Sequence, residues 1–347
     1  MKDINLLFHI KKVTVEPSPC HQVLNYMMAY RKMNFRECIE KNEYVLLEGA
    51  LGERLKREFG LCFDEHIAMA SLIYHKEGAA ALTHLWMEYI EIARRYSLPF
   101  VATTPTRRSN RERISESDYS DSVIYDNVSF LRRIQKECGI EMYVGGLMGC
   151  RGDAYTGEGA LSESEALEFH QWTVERFQKA DVDFLYAGIM PTLPEAAGLA
   201  RAIDQTGLPY IISFTIQQDG KLIDGTTIAD AICYIDERTS NRPVCYITNC
   251  VHPAIVFKAL SQPFNDVSIV KKRFRGIQAN TSPLSYAELD SSKDLKCSDP
   301  EEFAEDMLRL TQIGSFQIFG GCCGTDNRHM ECIAKRLHDS VLKKSST

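Results

Sequence analysis

No stretch of this sequence stays apolar for anything near the ~20 residues that a membrane-spanning helix needs. Its opening, Met1-Lys2-Asp3-Ile4-Asn5-Leu6-Leu7, holds too short an apolar run for a secretory signal. Positive charge is not in excess either. Lys and Arg number 40 against 47 Asp and Glu, so a net charge of −7 offers no overall field to draw nucleic acid. A regular cysteine framework is missing: twelve cysteines are scattered along 347 residues, several inside apolar runs. That pattern fits reduced thiols in a cytoplasmic protein better than disulfides. Tryptophan is scarce, and the two present, Trp86 and Trp172, fall in helix-like segments and read as packing. No short internal repeat is visible.

What is present is an ordinary globular composition, 44% hydrophobic and 25% charged, with enough chain for a large core. Residues 1–35 contain Pro17 and Pro19 and no sustained period. They read as an N-terminal extension, the alternative being a cap over the bottom of the fold. Residues 36–347 read as a single domain. From residue 40, short apolar runs alternate with helix-like segments. The runs are Tyr44–Leu47, Leu98–Thr103, Glu141–Gly145, Val182–Ala187, Leu208–Thr215, Pro243–Thr248, Phe274–Ala279 and Ser315–Phe319. Between them the sequence predicts a helical region over 64–96 broken near Gly78, and a polar loop over 107–117. It also predicts helices opened by a capping box at Ser162–Glu165, by Pro253, and by Asp299-Pro300-Glu301-Glu302. Eight strands alternating with helices predict a (β/α)8 TIM barrel. The alternative, an open doubly wound sheet, often carries G-x-G-x-x-G after its first strand; Glu48-Gly49-Ala50-Leu51-Gly52 does not match.

The chemistry gathers around Gly320-Gly321-Cys322-Cys323-Gly324-Thr325, at the end of the eighth run. Glycines there let the backbone turn sharply and approach a ligand. In a closed barrel Cys250, ending the sixth run, meets Cys322 and Cys323 at one mouth. Three converging thiolates suit Zn²⁺ and leave a fourth tetrahedral position open, the pattern of a catalytic zinc. Such a set favours a soft fourth ligand, for instance a substrate sulfur.

With these motifs in place, the sequence resembles the zinc-dependent homocysteine S-methyltransferases, the betaine–homocysteine and methionine synthase type. Gly320–Thr325 resembles that family's signature, and Thr248-Asn249-Cys250 its second zinc motif. Leu47-Glu48-Gly49-Ala50, Ser213-Phe214-Thr215 and Gln278-Ala279-Asn280 resemble further strand ends. The resemblance covers about residues 43–340. It implies zinc held by Cys250, Cys322 and Cys323, and methyl transfer to a zinc-bound small thiol or selenol, with homocysteine and methionine biosynthesis as the family's business. It implies a small-molecule acceptor and a methyl donor, which a corrinoid or folate protein can supply. Glu48, Gly49, Thr215, Asn249, Gly321, Arg107 and Arg108 are the expected substrate-binding residues. The oligomeric state is not readable.

Three departures stand out. Glu48 replaces the family's Asp. Gly188-Ile189 stands where the family has Glu-Thr, and that Glu helps hold the amino group of homocysteine. Thr103-Thr104-Pro105-Thr106-Arg107-Arg108 is more basic than the family pattern. These predict an intact metal site with an altered acceptor pocket, in which homocysteine is a poor acceptor. Two other readings compete: a zinc- or thiol-binding barrel without turnover, and a redox protein using Cys322 and Cys323 as a vicinal disulfide. His252 is expected to open the helix at Pro253, and His329 to be a surface or packing residue. Lys271-Lys272-Arg273 is read as a solvated face, and Asp153 and Tyr155 as within reach of the mouth.

Overall fold

A computed structural model describes residues 33–282 and 298–345. Nearly all of the expected extension over 1–35 and of the 281–298 loop lies outside the described residues. The chain divides into two compact units, Met1–Asn34 and Phe35–Thr347.

Eight parallel strands close into a barrel in sequence order. They are β1 (Val45–Leu47), β2 (Phe100–Thr103), β3 (Met142–Met148), β4 (Phe184–Met190), β5 (Tyr210–Phe214), β6 (Cys245–Asn249), β7 (Phe274–Ala279) and β8 (Ile318–Gly321). Each predicted run overlaps one of them, and β3, β4, β6 and β8 run past the ends expected. All are buried along nearly their whole length, as strands walled by helices on one side and by a filled barrel on the other must be. Alternation sorts their side chains into two layers. Val45, Leu47, Val101, Tyr143, Phe184, Tyr186, Ile211, Ile247 and Ile318 belong to an inner cluster filling the barrel. Leu46, Phe100, Ala102, Val144, Leu185 and Ile212 belong to the larger cluster against the helices. Burial of each such side chain contributes on the order of 1.5–3 kcal/mol. Phe35, which opens the helix Phe35–Lys41, stacks on Phe184 at 4.0 Å and so plugs the N-terminal end of the barrel.

The structure departs from the expected elements in a few places. The 64–96 helix is two pieces. Asp64 Oδ1 accepts from the amides of His66 and Ile67, turning the chain. A 3-10 turn, Met69–Tyr74, follows, and the helix proper begins at Lys76, two residues before Gly78. A helix the sequence reading passes over, Gly52–Phe59, follows β1 and stops at Gly60 with φ +65°. The polar loop 107–117 contains a short helix, Arg111–Ser115, capped by Asn110. β4 runs on through Gly188 and Ile189 to Met190, which pairs with Phe214 across a register shift. Arg273 does not lie on a solvated face: its guanidinium grips Asp236 at 2.8 Å. The capping box at Ser162 and the helix starts at Pro253 and Asp299 form as predicted. Among the described residues no helix is long and apolar enough to cross a membrane.

Candidate active site

The C-terminal strand ends form the barrel mouth, and three cysteines meet there. The sulfurs of Cys250, Cys322 and Cys323 all lie within 4.8 Å of one another. β7 brings them together. The Cys250 amide, just past β6, donates to the Gln278 carbonyl at 3.0 Å, and the Cys322 amide, just past β8, donates to the next carbonyl, Ala279, at 2.7 Å. Consecutive carbonyls of one strand thus hold two cysteines that are far apart in sequence. Asn280 Nδ2 donates to the Cys250 carbonyl at 2.9 Å, and the Thr281 amide to that of Cys323 at 3.2 Å. Thr325 Oγ1 closes the turn by donating to the Cys322 carbonyl at 2.7 Å. Gly324 has φ +84°, and a Cβ there would lie 2.0 Å from Thr281 Oγ1, so only glycine fits.

Among the described residues every cysteine is a free thiol. Hydrogen bonds from Cys322 and Cys323 hold the Cys250 thiol well below its ordinary range. Their hydrogen bonds to Cys250 push Cys322 up, and Cys323 up to about 12. The donor set fits a soft divalent cation. Tetrahedral Zn–S bonds of ~2.3 Å put sulfurs roughly 3.8 Å apart; those of Cys322 and Cys323 are 4.0 Å apart.

The sulfurs open into a cleft of ≈ 230 Å³. Glu48, Gly49, Arg107, Asn249 and Gly321 of the expected residues line it; Thr215 and Arg108 do not. Thr215 Oγ1 donates to the Ala154 carbonyl at 2.7 Å and so holds the loop carrying Tyr155. The Tyr155 hydroxyl faces Cys250, and burial pushes it well above the usual tyrosine range. Asn249 ends β6 with its Oδ1 accepting from Ser213 Oγ. Gly49 lies so close to Tyr89 that a Cβ would sit 2.6 Å from the ring.

Glu48 is buried and fully engaged. Its Oε1 accepts from Thr103 N at 3.1 Å and Thr103 Oγ1 at 2.6 Å; its Oε2 accepts from Trp86 Nε1 at 2.6 Å. Burial pushes its carboxyl up to about 7, against the opposing pull of Thr103 and Trp86. Trp86 is therefore more than packing: it orients the carboxylate. A second carboxylate missed in the sequence, Glu53, also lines the cleft. Its oxygens are taken by Gly324 N at 2.5 Å and by Arg57 at 3.1 Å. Gly188 does not line the cleft. A Cβ there would stand 3.2 Å from both Leu147 and Tyr186, whereas Ile189 supplies the wall. Met69 and Leu147 add further apolar surface.

Sequence reasoning also passed over Glu195, which is wholly buried. It takes the Arg151 amide at 2.7 Å and lies 3.3 Å from His170 Nε2, pinning the glycine-rich loop after β3. Glu195 follows Pro194 in the sequence as an ordinary first-turn acid of the next helix, so nothing local marks its role. His252 accepts from the Ala254 amide and opens its helix, and His329 is buried against Asp326 and the Ser298 carbonyl.

Residues 45–337 match the family model described as homocysteine S-methyltransferase. The curated homocysteine S-methyltransferase YbgG of Bacillus subtilis is 33% identical over 188 residues, which is 53% of this chain and 56% of that protein. The chain thus spans little more than half the length of the curated relative it matches. The homocysteine methyltransferase MmuM from Escherichia coli shares the fold. Its metallated form gives a TM-score of 0.67 at 18% identity, over 87% of this chain and 99% of that one. Its oxidised form gives 0.68 at 18% identity, over 86% and 97%.

Proposed function

This chain belongs to the homocysteine S-methyltransferase family, and on that premise we propose that it is a zinc-dependent S-methyltransferase acting on a small thiol or selenol. One observation carries the reading: three cysteine sulfurs at one point, two of the cysteines held by consecutive carbonyls of β7. Cys250, Cys322 and Cys323 would hold the zinc. When bound, it would supply the Lewis acidity that keeps an acceptor sulfur ionised at neutral pH. The transfer forms one S–C bond and breaks the bond from the methyl carbon to the donor heteroatom, which keeps the electron pair. The chain's own residues position the reactants. Met69, Leu147 and Ile189 give the cleft apolar walls, and Tyr155 and Arg107 line it beside them. The donor is a small methylated cation or a corrinoid- or folate-borne methyl group.

Homocysteine is the poorer acceptor in this reading. Its α-ammonium needs a carboxylate in a partly desolvated cleft, and an unpaired charge there costs several kcal/mol. Glu48 has protein donors on both oxygens and is about half protonated near neutral pH, Glu53 is occupied, and Ile189 is apolar.

The test is metal content and methyl transfer together. The full chain should bind about one zinc; Cys250→Ala, Cys322→Ala and Cys323→Ala should each abolish tight binding and turnover. Across a panel of thiols and donors, kcat/KM should be higher for a thiol lacking the α-ammonium than for homocysteine. Full zinc retention in any of the three variants removes that residue from the site. Zinc binding with no transfer to any thiol supports the thiol-binding barrel without turnover instead.

A further inference from the structure

Next to the sulfur cleft lies a second recess of ≈ 220 Å³, which shares Arg107 and Tyr155 with it. Arg108, Arg113 and Asp153 also line it. Several other guanidiniums, by contrast, are matched: Arg54 with Glu58 and Glu88, Arg132 with Asp183, Arg176 with Asp121, Arg273 with Asp236. Among the described residues, no carboxylate is in ion-pair range of Arg107, Arg108 or Arg113. Arg108 Nε is shut off from solvent and has no hydrogen-bond partner. Burial, then the charges of Arg113 and Arg107, push the Arg108 guanidinium below its ordinary range. Asp153 is the one carboxylate of the lining, and its Oδ1 is spent on the amides of Tyr155 and Thr156. The Cys150 thiol, pushed up to about 12 by burial, is neutral. Two positive charges are left unbalanced.

The backbone that presents these arginines is fixed. Gly149 N donates to the Arg107 carbonyl at 3.0 Å. Thr106 Oγ1 donates to the Leu147 carbonyl at 2.9 Å, and Asn110 Oδ1 caps the Arg113 amide at 3.0 Å. Three forked donors gathered against a single carboxylate are what a bidentate oxyanion requires. A phosphate monoester carries about −1.5 to −2 at pH 7, which would balance the excess.

We propose that this recess is an oxyanion subsite that holds the phosphate or dicarboxylate group of a small substrate whose other end reaches the sulfur cluster. The assignment rests on the methyl-transfer reading of the cleft and names the charge class of its substrate. It inverts the mouth expected of a homocysteine site: acceptors for an ammonium are lost or occupied, and donors for an anion are gained.

The probe is inorganic phosphate, titrated by calorimetry into the zinc-loaded full chain at low ionic strength. Acetate and succinate are parallel arms, and sodium chloride at matched ionic strength is the control. Saturable binding of one phosphate per chain is expected, with affinity at least about tenfold lower in Arg108→Gln and in Arg113→Gln. Both residues lie outside the sulfur cleft, so zinc content should stay at the wild-type level and certify the fold. Arg108→Lys, which keeps the charge and loses the fork, should fall between wild type and Arg108→Gln. Succinate binding above phosphate assigns the dicarboxylate, and the reverse assigns the phosphate; acetate should be weakest. Two results overturn the proposal: no saturable binding of either dianion to wild type, a measurement that needs no variant, or undiminished binding in both glutamine variants. A chain that keeps zinc but binds no anion leaves the methyl-transfer reading standing, whereas anion binding without any zinc site does the opposite.

Discussion

The two halves of the barrel mouth are built differently. On the side of β6, β7 and β8, the backbone around each sulfur is tied to a neighbouring strand, through Gln278, Ala279, Asn280, Thr281 and Thr325. On the side of β1 to β4, the backbone is fixed as firmly, but charged side chains stand without partners or with shifted protonation. Arg108 is unsatisfied, and Glu48 sits near neutrality. Residues that resemble the family signature lie on the first side. The departures, Glu48, Gly188-Ile189 and the paired arginines, lie on the second. Under the proposed function, the difference assigns metal holding to one half of the ring and choice of substrate to the other.

The largest expected effect tests the rigidity of the sulfur side. Gly324→Ala should cost about 3 kcal/mol, because it forces a side chain into a left-handed position against Thr281 Oγ1. Denaturant unfolding measures the loss, and zinc affinity should fall with it. A variant as stable as wild type would show that the turn yields and that the two halves are not so different.

Glu48→Gln probes the selecting side through pH. Below about pH 4.5 the carboxyl is protonated in both folded and unfolded chains, and burial costs it nothing. As pH rises from there to about 7, the unfolded chain ionises first, so the stability this group contributes is lost across that window. Glutamine does not titrate. The variant should therefore gain on wild type by about 3 kcal/mol between pH 4.5 and 7, and no further above. Denaturation of both zinc-free proteins at several pH values measures it, and parallel curves would refute the shift.

A smaller effect concerns choice of acceptor. Ile189→Glu puts a carboxylate into the cleft wall where Gly188 has no room for one. It should raise kcat/KM for homocysteine, relative to a thiol lacking the ammonium, by about tenfold. An unchanged ratio would mean that the ammonium is held elsewhere. The smallest effect is expected from deleting residues 1–32: zinc content unchanged and unfolding free energy within about 0.5 kcal/mol of the full chain. Phe35, which plugs the barrel, is retained in that truncation.

The barrel was legible in the sequence because its signal is local. Each strand is a short apolar run, and each cap, such as Ser162 or Pro253, is written within four residues. The sulfur trio was legible because a barrel brings all strand ends to one face, so only Cys250, Cys322 and Cys323 had to be placed at strand ends. What stayed hidden depends on contacts between distant residues. Trp86 meets Glu48 from across the barrel wall, 38 positions away, and nothing in its helical surroundings marks that bond. Thr215 resembled a substrate contact, yet its hydroxyl is spent on the loop that carries Tyr155. Arg113 looked like part of a polar loop. Only the short helix capped by Asn110 turns it beside Arg107 and Arg108.

The bridging role of β7 makes the sulfur site depend on chain that is made late. Cys250 leaves the ribosome well before Cys322, and the carbonyls that hold both belong to the strand between them. A nascent or truncated chain that has not laid its last strand against the penultimate one offers a metal no triangle of sulfurs. A metal held by all three sulfurs would therefore report that the eighth strand has been laid beside the seventh and the seventh beside the sixth.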